Sequence, residues 1–319
     1  MTADPIPQAC PSSQKRRYVF VVGSPRSGTT WLQLLLAQHP SVATHQETHL
    51  FHNYLGPLER AYRGGRDADL VRDVGIHNVV DEQALYGFCR QFALHALDGI
   101  AASEPQAEVV IEKSPDHVRD HDLILRVLPE AWFVHVIRDP RDVAISMRSA
   151  GRGWGRSWAP SRTHGAASTW AHNVQCGLDI AQKTERYREI RYEDLLERGS
   201  TELGKLFAWL GLPVDAGFCD AALTACSIEN LRGGDAQVRS PWALRKEPEG
   251  FYRSGRSGGW VDELGRRELN TIEYIAGPLM DRLGYKRAVA KRRARPWSLA
   301  MFNGLAVARD RAIGLLRAV

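Results

Sequence analysis

The sequence predicts an α/β fold of the P-loop type, with three layers in which a central parallel sheet is flanked by helices. Short apolar runs alternate with helical stretches, which is the pattern of strands joined by helical crossovers. The runs are almost continuously apolar, as strands covered on both faces are. A loop rich in Gly and Ser joins the first run to the first helix, and loops of this kind bind phosphate groups.

Each element follows from its local pattern. The strand candidates are RYVFVV (17–22), EVVIE (108–112), WFVHVIR (132–138), YREIRYE (187–193) and, more weakly, SVATHQ (41–46). The helix candidates are 29–38, 82–99, 119–128, 141–149, 166–184, 200–210 and 266–283. Loops as long as 151–165, rich in Gly, Arg and Trp, and the polar 232–250 are usually functional or disordered, and we expect these two to form rims or lids of a substrate pocket.

Length and composition limit the organisation of the chain. Its 319 residues suffice for one large domain over 17–285, preceded by a disordered leader (1–16) and followed by a basic tail (286–319). The five cysteines are scattered without a CxxC pair, so we expect a reducing cytoplasmic location, no disulfides and no structural metal. The sequence contains neither an apolar run of about 18 residues nor the apolar core of a secretory signal.

The net charge of +5 is unevenly distributed. Nine Lys and Arg against one Asp give residues 286–319 a charge of +8, so the other 285 residues sum to −3. A nucleic-acid partner would depend on this tail alone, and none is expected. The apolar and basic residues of 291–319 are typical of an amphipathic helix on anionic lipid, which predicts peripheral membrane contact. A helix docked on the domain and a disordered tail are the alternatives.

The first loop lies in VFVVGSPRSGTTWLQLL (19–35). Gly23 and Gly28 let the backbone approach a ligand closely, and the helix N-terminus adds the positive end of its dipole. The polar donors of the loop are Arg26, Ser27, Thr29 and Thr30. A nucleotide triphosphatase would have a lysine where Thr29 stands, so the loop favours a phosphate ligand that does not need this lysine.

Two further segments have anion-binding character. In VIRDPRDVAIS (136–146), Arg138 at a strand end and Ser146 on the following helix can face one phosphate. Taken alone, the segment is equally consistent with an ordinary helix start capped by Asp139. The glycine-rich FYRSGRSGGW (251–260) is either a second anion-binding loop or a surface turn.

Together, the three segments resemble the sulfotransferases that use 3′-phosphoadenosine 5′-phosphosulfate (PAPS), over about residues 17–285. In that family xPRSGTTW holds the 5′-phosphosulfate, RDPRDVxxS supplies Arg and Ser to the 3′-phosphate, and RxGxxGxW closes over the same phosphate. PAPS has no β–γ anhydride, which accounts for the missing lysine. The resemblance implies metal-independent sulfuryl transfer from PAPS to a hydroxyl acceptor, with a phenol or an amine as alternatives.

The resemblance also implies three groups of cofactor contacts. The 5′-phosphosulfate would be bound by Arg26, Ser27, Gly28, Thr29 and Thr30. The adenine would lie near Trp31, Tyr192 and, in ACSIENL (225–231), Cys226 and Ile228. The 3′-phosphate would be surrounded by Arg138, Ser146, Arg253, Ser254 and Gly255.

The transfer requires positive donors at the leaving oxygen and a base near the acceptor. Arg26 and Lys113, in VIEKSPDH, are the expected donors. HPSVATHQETHLF (39–51) resembles segments of tyrosylprotein and heparan sulfotransferases in which a Glu is the base, so Glu47 is the expected base. Cytosolic sulfotransferases use a His in a KTHLP-like segment, where this chain has Pro115. We expect burial to raise the pKa of Glu47 toward neutrality. The alternative bases are His45, His49 and His117.

The sequence does not identify the acceptor, although a Glu base suggests a hydroxyl group on a small molecule, a glycan or a lipid. The tryptophans Trp154, Trp158 and Trp170 either stack on a sugar or aryl ring or pack in helices. The stretch VDELGRRELN (261–270) does not keep the cytosolic dimerisation pattern KxxxTVxxxE, so a dimer by that route is not expected.

Two other functions compete with the transferase. A P-loop kinase or nucleotide triphosphatase needs a Lys after Gly28 and carboxylates for Mg²⁺, which the sequence lacks at the expected places. A nucleotide-binding module without catalysis would keep the first loop but could lose Glu47 and Lys113, and both are present.

Overall fold

The sheet contains all five predicted strand regions. The computed structural model describes residues 16–68, 75–233, 239 and 247–289. The strands are β1 (Arg17–Gly23), β2 (Val42–Thr44), β3 (Val109–Glu112), β4 (Trp132–Ile137) and β5 (Tyr187–Arg191). They lie in the order β2-β3-β1-β4-β5, and every pair is parallel. The predicted α/β fold with a central parallel sheet is therefore confirmed.

The described residues form thirteen α-helices. They are α1 (Thr29–Ala37), α2 (Gly56–Ala68), α3 (Glu82–Ala101), α4 (His121–Val127), α5 (Pro140–Arg152), α6 (Thr163–Ile180), α7 (Tyr192–Glu197), α8 (Gly199–Trp209), α9 (Ala216–Ala225), α10 (Ile228–Gly233), α11 (Trp260–Glu263), α12 (Arg266–Ile275) and α13 (Gly277–Arg282). A π-helical segment (Leu50–Leu55) leads into α2, and 3₁₀ turns lie at Ile76–Asn78 and Pro115–Asp120.

The strands are buried on both faces because alternate side chains point to opposite sides of the sheet. On β1, Phe20 and Val22 belong to one apolar core, to which α3 and the π-helical segment contribute. Val19 and Val21 belong to the other core, with residues of α1, α8 and α9. Apolar residues on both faces explain why the strands read as continuous apolar runs in the sequence.

The chain divides into two compact units. Unit 1 comprises Met1–Ile137 and Cys176–Glu247, and it contains the whole sheet. Unit 2 comprises Arg138–Gln175 and Pro248–Val319, and its described part is helical with connecting loops. In unit 2, the buried guanidinium of Arg141 forms ion pairs with Asp139 at 2.6 Å and with Glu273 at 3.1 Å, which joins α5 to α12.

Three local differences from the sequence expectation have simple causes. The predicted strand 187–193 ends at Arg191 because Tyr192 begins α7. The predicted helix 266–283 is broken into α12 and α13 at Gly277, ahead of Pro278, which has no N–H to donate. The helices α2, α7, α9, α10 and α11 were not predicted. α7, α9, α10 and α11 have ten residues or fewer, and α2 (GPLERAYRGGRDA) is dominated by charged residues and glycines, so it shows few apolar positions.

Some expectations fall outside the described residues. These are the disordered leader, the membrane contact of 291–319 and most of the polar segment 232–250. The boundaries at residues 17 and 285 stay predictions. Within 16–68, 75–233 and 247–289, none of the helices combines the length and the apolar character needed to cross a membrane.

Candidate functional site

The loop between β1 and α1 begins at a glycine that packs directly against the neighbouring strand. Gly23 ends β1 with φ +152°, and a Cβ at this position would lie 2.5 Å from the carbonyl oxygen of Val136 on β4. Such a distance is too short for any side chain. Gly23 is therefore required for the chain to leave the sheet here, beyond the carboxyl ends of the strands.

The loop then turns through two left-handed residues. Arg26 has φ +72°, which is uncommon for a residue with a side chain, and Gly28 has φ +99°. A Cβ on Gly28 would lie 2.5 Å from Cδ2 of Tyr192. Gly28 is also the N-cap of α1, and no side chain caps this helix end. The positive end of the α1 dipole is thus presented at the loop.

Ser27 shows that the loop fits an oxyanion. Its side chain is completely buried, and its Oγ has no hydrogen-bond partner in the part of the chain that the structure describes. A buried hydroxyl without a partner is unfavourable, so such a group is usually satisfied by water or by a ligand. A phosphate or sulfate oxygen would accept a hydrogen bond from this hydroxyl.

The predicted adenine-side residues lie together beside the loop. Nε1 of Trp31 donates to the carbonyl oxygen of Cys226 at 3.0 Å. The rings of Trp31 and Tyr192 meet edge to face, with centroids 5.4 Å apart. Ile228 begins α10, two residues after Cys226. Burial raises the pKa of the Cys226 thiol to about 12, so it remains protonated and acts as an apolar side chain.

The expected base and donor are in direct contact. Lys113, buried at the end of β3, forms an ion pair with Oε1 of Glu47, whose side chain is 34% exposed. Oε2 of Glu47 lies 3.4 Å from Nε2 of His49. Burial raises the pKa of Glu47, but Lys113 and the hydrogen bonds from His49 and Lys113 outweigh burial and lower it to about 2. The expectation of a pKa raised toward neutrality was wrong, because the sequence does not reveal these two cations.

His49 is an unsuitable base in this arrangement. Its Nδ1 lies 3.3 Å from Oδ1 of Asp116, while Nε2 faces Glu47. Hydrogen bonds to Asp116 and Glu47 raise the pKa of His49 to about 10, so the ring is a cation at neutral pH. The residue has φ +50° and precedes the π-helical segment, and both features are often found at functional sites. His45, another alternative, is exposed.

Glu112, which the sequence reasoning missed, holds the Glu47 segment in place. It is buried at the end of β3, and its Oε1 accepts from the hydroxyls of Thr48 at 2.8 Å and Ser114 at 2.7 Å. Its Oε2 lies 2.7 Å from Nδ1 of His117. Nε2 of His117 accepts the backbone N–H of Phe51 at 3.1 Å, so this buried histidine is occupied structurally. An acidic residue inside an apolar strand is the sequence signal that could have indicated Glu112.

In unit 2, two of the predicted 3′-phosphate residues belong to the segment that begins at Arg138 and continues as α5. Arg138 is buried, and its Nη2 donates to the carbonyl oxygen of Arg256 in the glycine-rich loop at 2.9 Å. Its own carbonyl accepts Nε1 of Trp170 at 2.9 Å. Ser146 is buried on α5. The structure therefore brings Arg138 and the loop of 251–260 together, as the two motifs suggested.

Asp142 fixes the glycine-rich loop, and the sequence reasoning did not identify it. Its Oδ2 accepts the N–H of Gly258 at 2.8 Å, and its Oδ1 accepts the N–H of Trp260 at 2.9 Å. Gly258 has φ +76°, and Gly255 has φ +65°, so both glycines have left-handed backbone conformations. The guanidinium of Arg141 stacks 3.8 Å above the Trp260 ring. The motif RDPRD thus anchors the loop in addition to supplying Arg138.

Other residues of unit 2 that were predicted to contact the cofactor or the acceptor contact neighbouring protein side chains in the structure. Arg253 donates to both carboxylate oxygens of Glu263, at 2.7 and 2.9 Å, so it is engaged by a local carboxylate. Ser254 is half-buried beside it. Trp170 is a core residue with no exposed area. Trp154 instead forms an aromatic cluster, in which it lies 5.5 Å from the Trp158 ring and 5.1 Å from the Phe251 ring.

Comparison with known proteins identifies the family. A family model described as "Sulfotransferase family" matches residues 18–216, which is more than half of the chain. The chain belongs to the sulfotransferase family. The resemblance seen in the sequence motifs is therefore confirmed.

The relatives of this chain are distant in sequence. Nodulation protein NoeE of Sinorhizobium fredii is 25% identical over 308 residues, which is 89% of this chain and 68% of that protein. Protein-tyrosine sulfotransferase 2 of Gallus gallus is 24% identical over 59% of this chain and 44% of its own length. This chain thus spans less than half of that relative. A crystal structure of the mouse sulfotransferase SULT7A1 complexed with PAP shares the fold, with a TM-score of 0.52 at 15% identity over 84% of this chain and 86% of that one.

Proposed function

We propose that this protein transfers a sulfuryl group from PAPS to a hydroxyl group of an acceptor. The observation that carries the proposal is the loop between β1 and α1. It forms an oxyanion site with a buried, unpartnered Ser27 Oγ among the described residues, and it lacks the lysine of nucleotide triphosphatases. The chain belongs to the sulfotransferase family, and the mouse structure with the same fold contains PAP, which supports PAPS as the sulfuryl donor.

Some of the proposed cofactor contacts belong to unit 1 and the others to unit 2. In unit 1, Arg26, Ser27, Gly28, Thr29 and Thr30 bind the 5′-phosphosulfate, while Trp31, Tyr192, Cys226 and Ile228 line the adenine. In unit 2, Arg138, Ser146, Arg253, Ser254 and Gly255 bind the 3′-phosphate. Arginine forks and backbone N–H groups are the donors that phosphate and sulfate oxygens prefer, so both sets have suitable chemistry.

In the proposed mechanism, Glu47 removes the proton of the acceptor hydroxyl, and Arg26 and Lys113 stabilise the negative charge of the leaving group. PAPS supplies an activated sulfuryl group. Arg26 and Lys113 stabilise the negative charge that develops at the leaving oxygen. Glu47 accepts the proton of the attacking hydroxyl. Its carboxylate is ionised at neutral pH, as a base must be.

The ion pair between Lys113 and Glu47 has a consequence for this mechanism. With a pKa of about 2, Glu47 is a weak base while Lys113 holds it. An anion bound in the loop competes for Lys113 and weakens its hold on the carboxylate. The loss of this contact raises the pKa of Glu47, so that the base becomes stronger when the donor is present.

The acceptor class rests on the base and on the aromatic cluster. A carboxylate base suits the hydroxyl of a sugar, a lipid or another small molecule. Because protein-tyrosine sulfotransferases are among the relatives, a phenol is the alternative acceptor. Trp154, Trp158 and Phe251 offer ring faces on which a sugar or an aryl group can stack.

The experiment combines binding and turnover. Calorimetry should show micromolar or tighter binding of 3′-phosphoadenosine 5′-phosphate and weak binding of ATP with Mg²⁺. With an accepted hydroxyl substrate, Glu47→Gln should lose turnover by at least about 10²-fold while its affinity for the nucleotide stays within about twofold. Glu197→Gln, which removes an exposed carboxylate of α7, is the matched control and should be fully active. Tight ATP binding without a preference for the 3′-phosphate would refute the proposal and favour a kinase. Full activity of Glu47→Gln would refute the assignment of the base.

A further inference from the structure

A cavity lined by several arginines lies entirely within unit 2. It has a volume of about 780 Å³ and is formed by the C-terminal half of α5, the start of α6 with the residues before it, and α12. Cavities of roughly 300–1,000 Å³ accommodate small-molecule ligands, so the space is large enough for more than one phosphate group. None of its lining residues belongs to the proposed cofactor or acceptor contacts.

The lining is strongly basic. It contains Arg148, Arg152, Arg162 and Arg267 against the single carboxylate of Glu268. This concentration of positive charge contrasts with residues 1–285, whose formal charges sum to −3. A cavity walled by one sign of charge attracts and retains counterions.

Glu268 cannot neutralise this lining. Its Oε1 lies 2.5 Å from Nη1 of Arg148 and also accepts the hydroxyl of Thr163 at 3.4 Å. Its Oε2 accepts the N–H of Gly265 at 3.2 Å. The carboxylate is therefore fully used at one wall of the cavity.

Three of the arginines lack a local acidic partner. Arg152, Arg162 and Arg267 are exposed, and none forms an ion pair with any residue that the structure describes. Arg148 carries a further unused donor, because its Nε is buried without a hydrogen-bond partner among those residues. Burial of a donor without a partner is unfavourable, so a bound anion that accepted from it would stabilise the arrangement.

We propose that this cavity binds a ligand carrying two or more sulfate or phosphate groups. Guanidinium forks match the geometry of tetrahedral oxyanions, and several forks around one volume suit several such groups better than one. The site goes beyond the proposed transferase function, since it uses other residues and does not require PAPS to bind.

The test measures the binding of sucrose octasulfate, tripolyphosphate and inorganic phosphate by calorimetry. The cavity variant combines R152Q, R162Q and R267Q. The control variant combines R60Q, R186Q and R198Q, which removes three exposed arginines of unit 1 and changes the net charge equally. Circular dichroism checks that both variants are folded, and each titration is run with and without saturating 3′-phosphoadenosine 5′-phosphate.

We expect the cavity variant to bind the preferred polyanion at least about tenfold more weakly, and the control variant to change by less than about twofold. Glu268→Gln, which removes the competing carboxylate but keeps an acceptor, should bind it about two- to fivefold more tightly. The ratio of the two affinities shows which of the two polyanions is preferred.

Four results would overturn the proposal. They are an equal loss in the two arginine variants, no detectable binding of either polyanion, inorganic phosphate binding as tightly as tripolyphosphate, and complete displacement of the polyanion by 3′-phosphoadenosine 5′-phosphate. A failure of that nucleotide to bind would contradict the proposed function alone, because the titrations without it still report on the cavity.

Discussion

Gly28→Ala perturbs the loop between β1 and α1 at a residue whose backbone conformation and packing are both restricted. The residue has φ +99°, and the new Cβ would lie 2.5 Å from Cδ2 and 2.9 Å from Cε2 of Tyr192. Tyr192 is buried and packs against Trp31, so it cannot simply swing into solvent. The substitution should therefore strain the backbone and displace the tyrosine ring.

Both contributions can be estimated. A left-handed conformation costs an alanine about 1–2 kcal/mol relative to glycine. The overlap with a packed ring costs about 1–3 kcal/mol, as for other insertions into a well-packed core. The free energy of unfolding should thus fall by about 2–5 kcal/mol, which is less than the whole stability of many domains.

Urea unfolding followed by circular dichroism measures this change. Gly87→Ala is the matched control, because Gly87 lies in the middle of α3 with nothing within 4 Å of its added Cβ, and it should stabilise the protein by about 0.5–1 kcal/mol. The double variant Gly28→Ala/Tyr192→Leu separates the two contributions. Removal of the ring should recover at least about 1 kcal/mol of the loss expected from adding the single variants. A neutral Gly28→Ala, or strict additivity with Tyr192→Leu, would refute the described geometry of the loop.

Three further predictions concern charged groups. Arg138→Ala should weaken the binding of 3′-phosphoadenosine 5′-phosphate by about 1.5–3 kcal/mol, because a charge-assisted contact is lost. The control Arg198→Ala, at an exposed arginine, should leave the affinity unchanged. Unchanged affinity of Arg138→Ala in calorimetry would remove Arg138 from the 3′-phosphate contacts. Asp142→Asn should lower the free energy of unfolding by about 1–3 kcal/mol. The asparagine oxygen can accept from only one of the N–H groups of Gly258 and Trp260, and its NH₂ group repels the other. An unchanged urea midpoint would contradict this prediction. His49 has a pKa raised from 6.5 to about 10, so its ion pairs stabilise the fold fully below about pH 6.5 and progressively less as the pH rises to 10. The difference in unfolding free energy between the wild type and His49→Asn, a residue that tolerates the left-handed backbone, should shrink between pH 7 and 10; a constant difference would show that the charge of His49 does not contribute.

Local patterns in the sequence were sufficient for the sheet and for the first loop. Strands such as Arg17–Gly23 and Trp132–Ile137 are apolar on both faces, and this property is visible in each segment alone. Gly23 and Gly28 were also recognisable, because the need for glycine arises from the backbone within a few residues. The three motifs, being short and contiguous, identified the family.

The electrostatic state of the candidate base was decided by the tertiary structure. Lys113 reaches Glu47 across 66 positions of the chain, and the hydroxyl of Thr48 reaches Glu112 across 64 positions. The backbone N–H of Gly258 reaches Asp142 across 116 positions. The pKa of a carboxyl group depends on the charges and donors within a few ångströms, wherever they lie in the chain. The sequence by itself therefore determined the fold, the glycines of the loop between β1 and α1 and the residue types at the candidate site, while only the folded chain determined which of those residues neutralise one another.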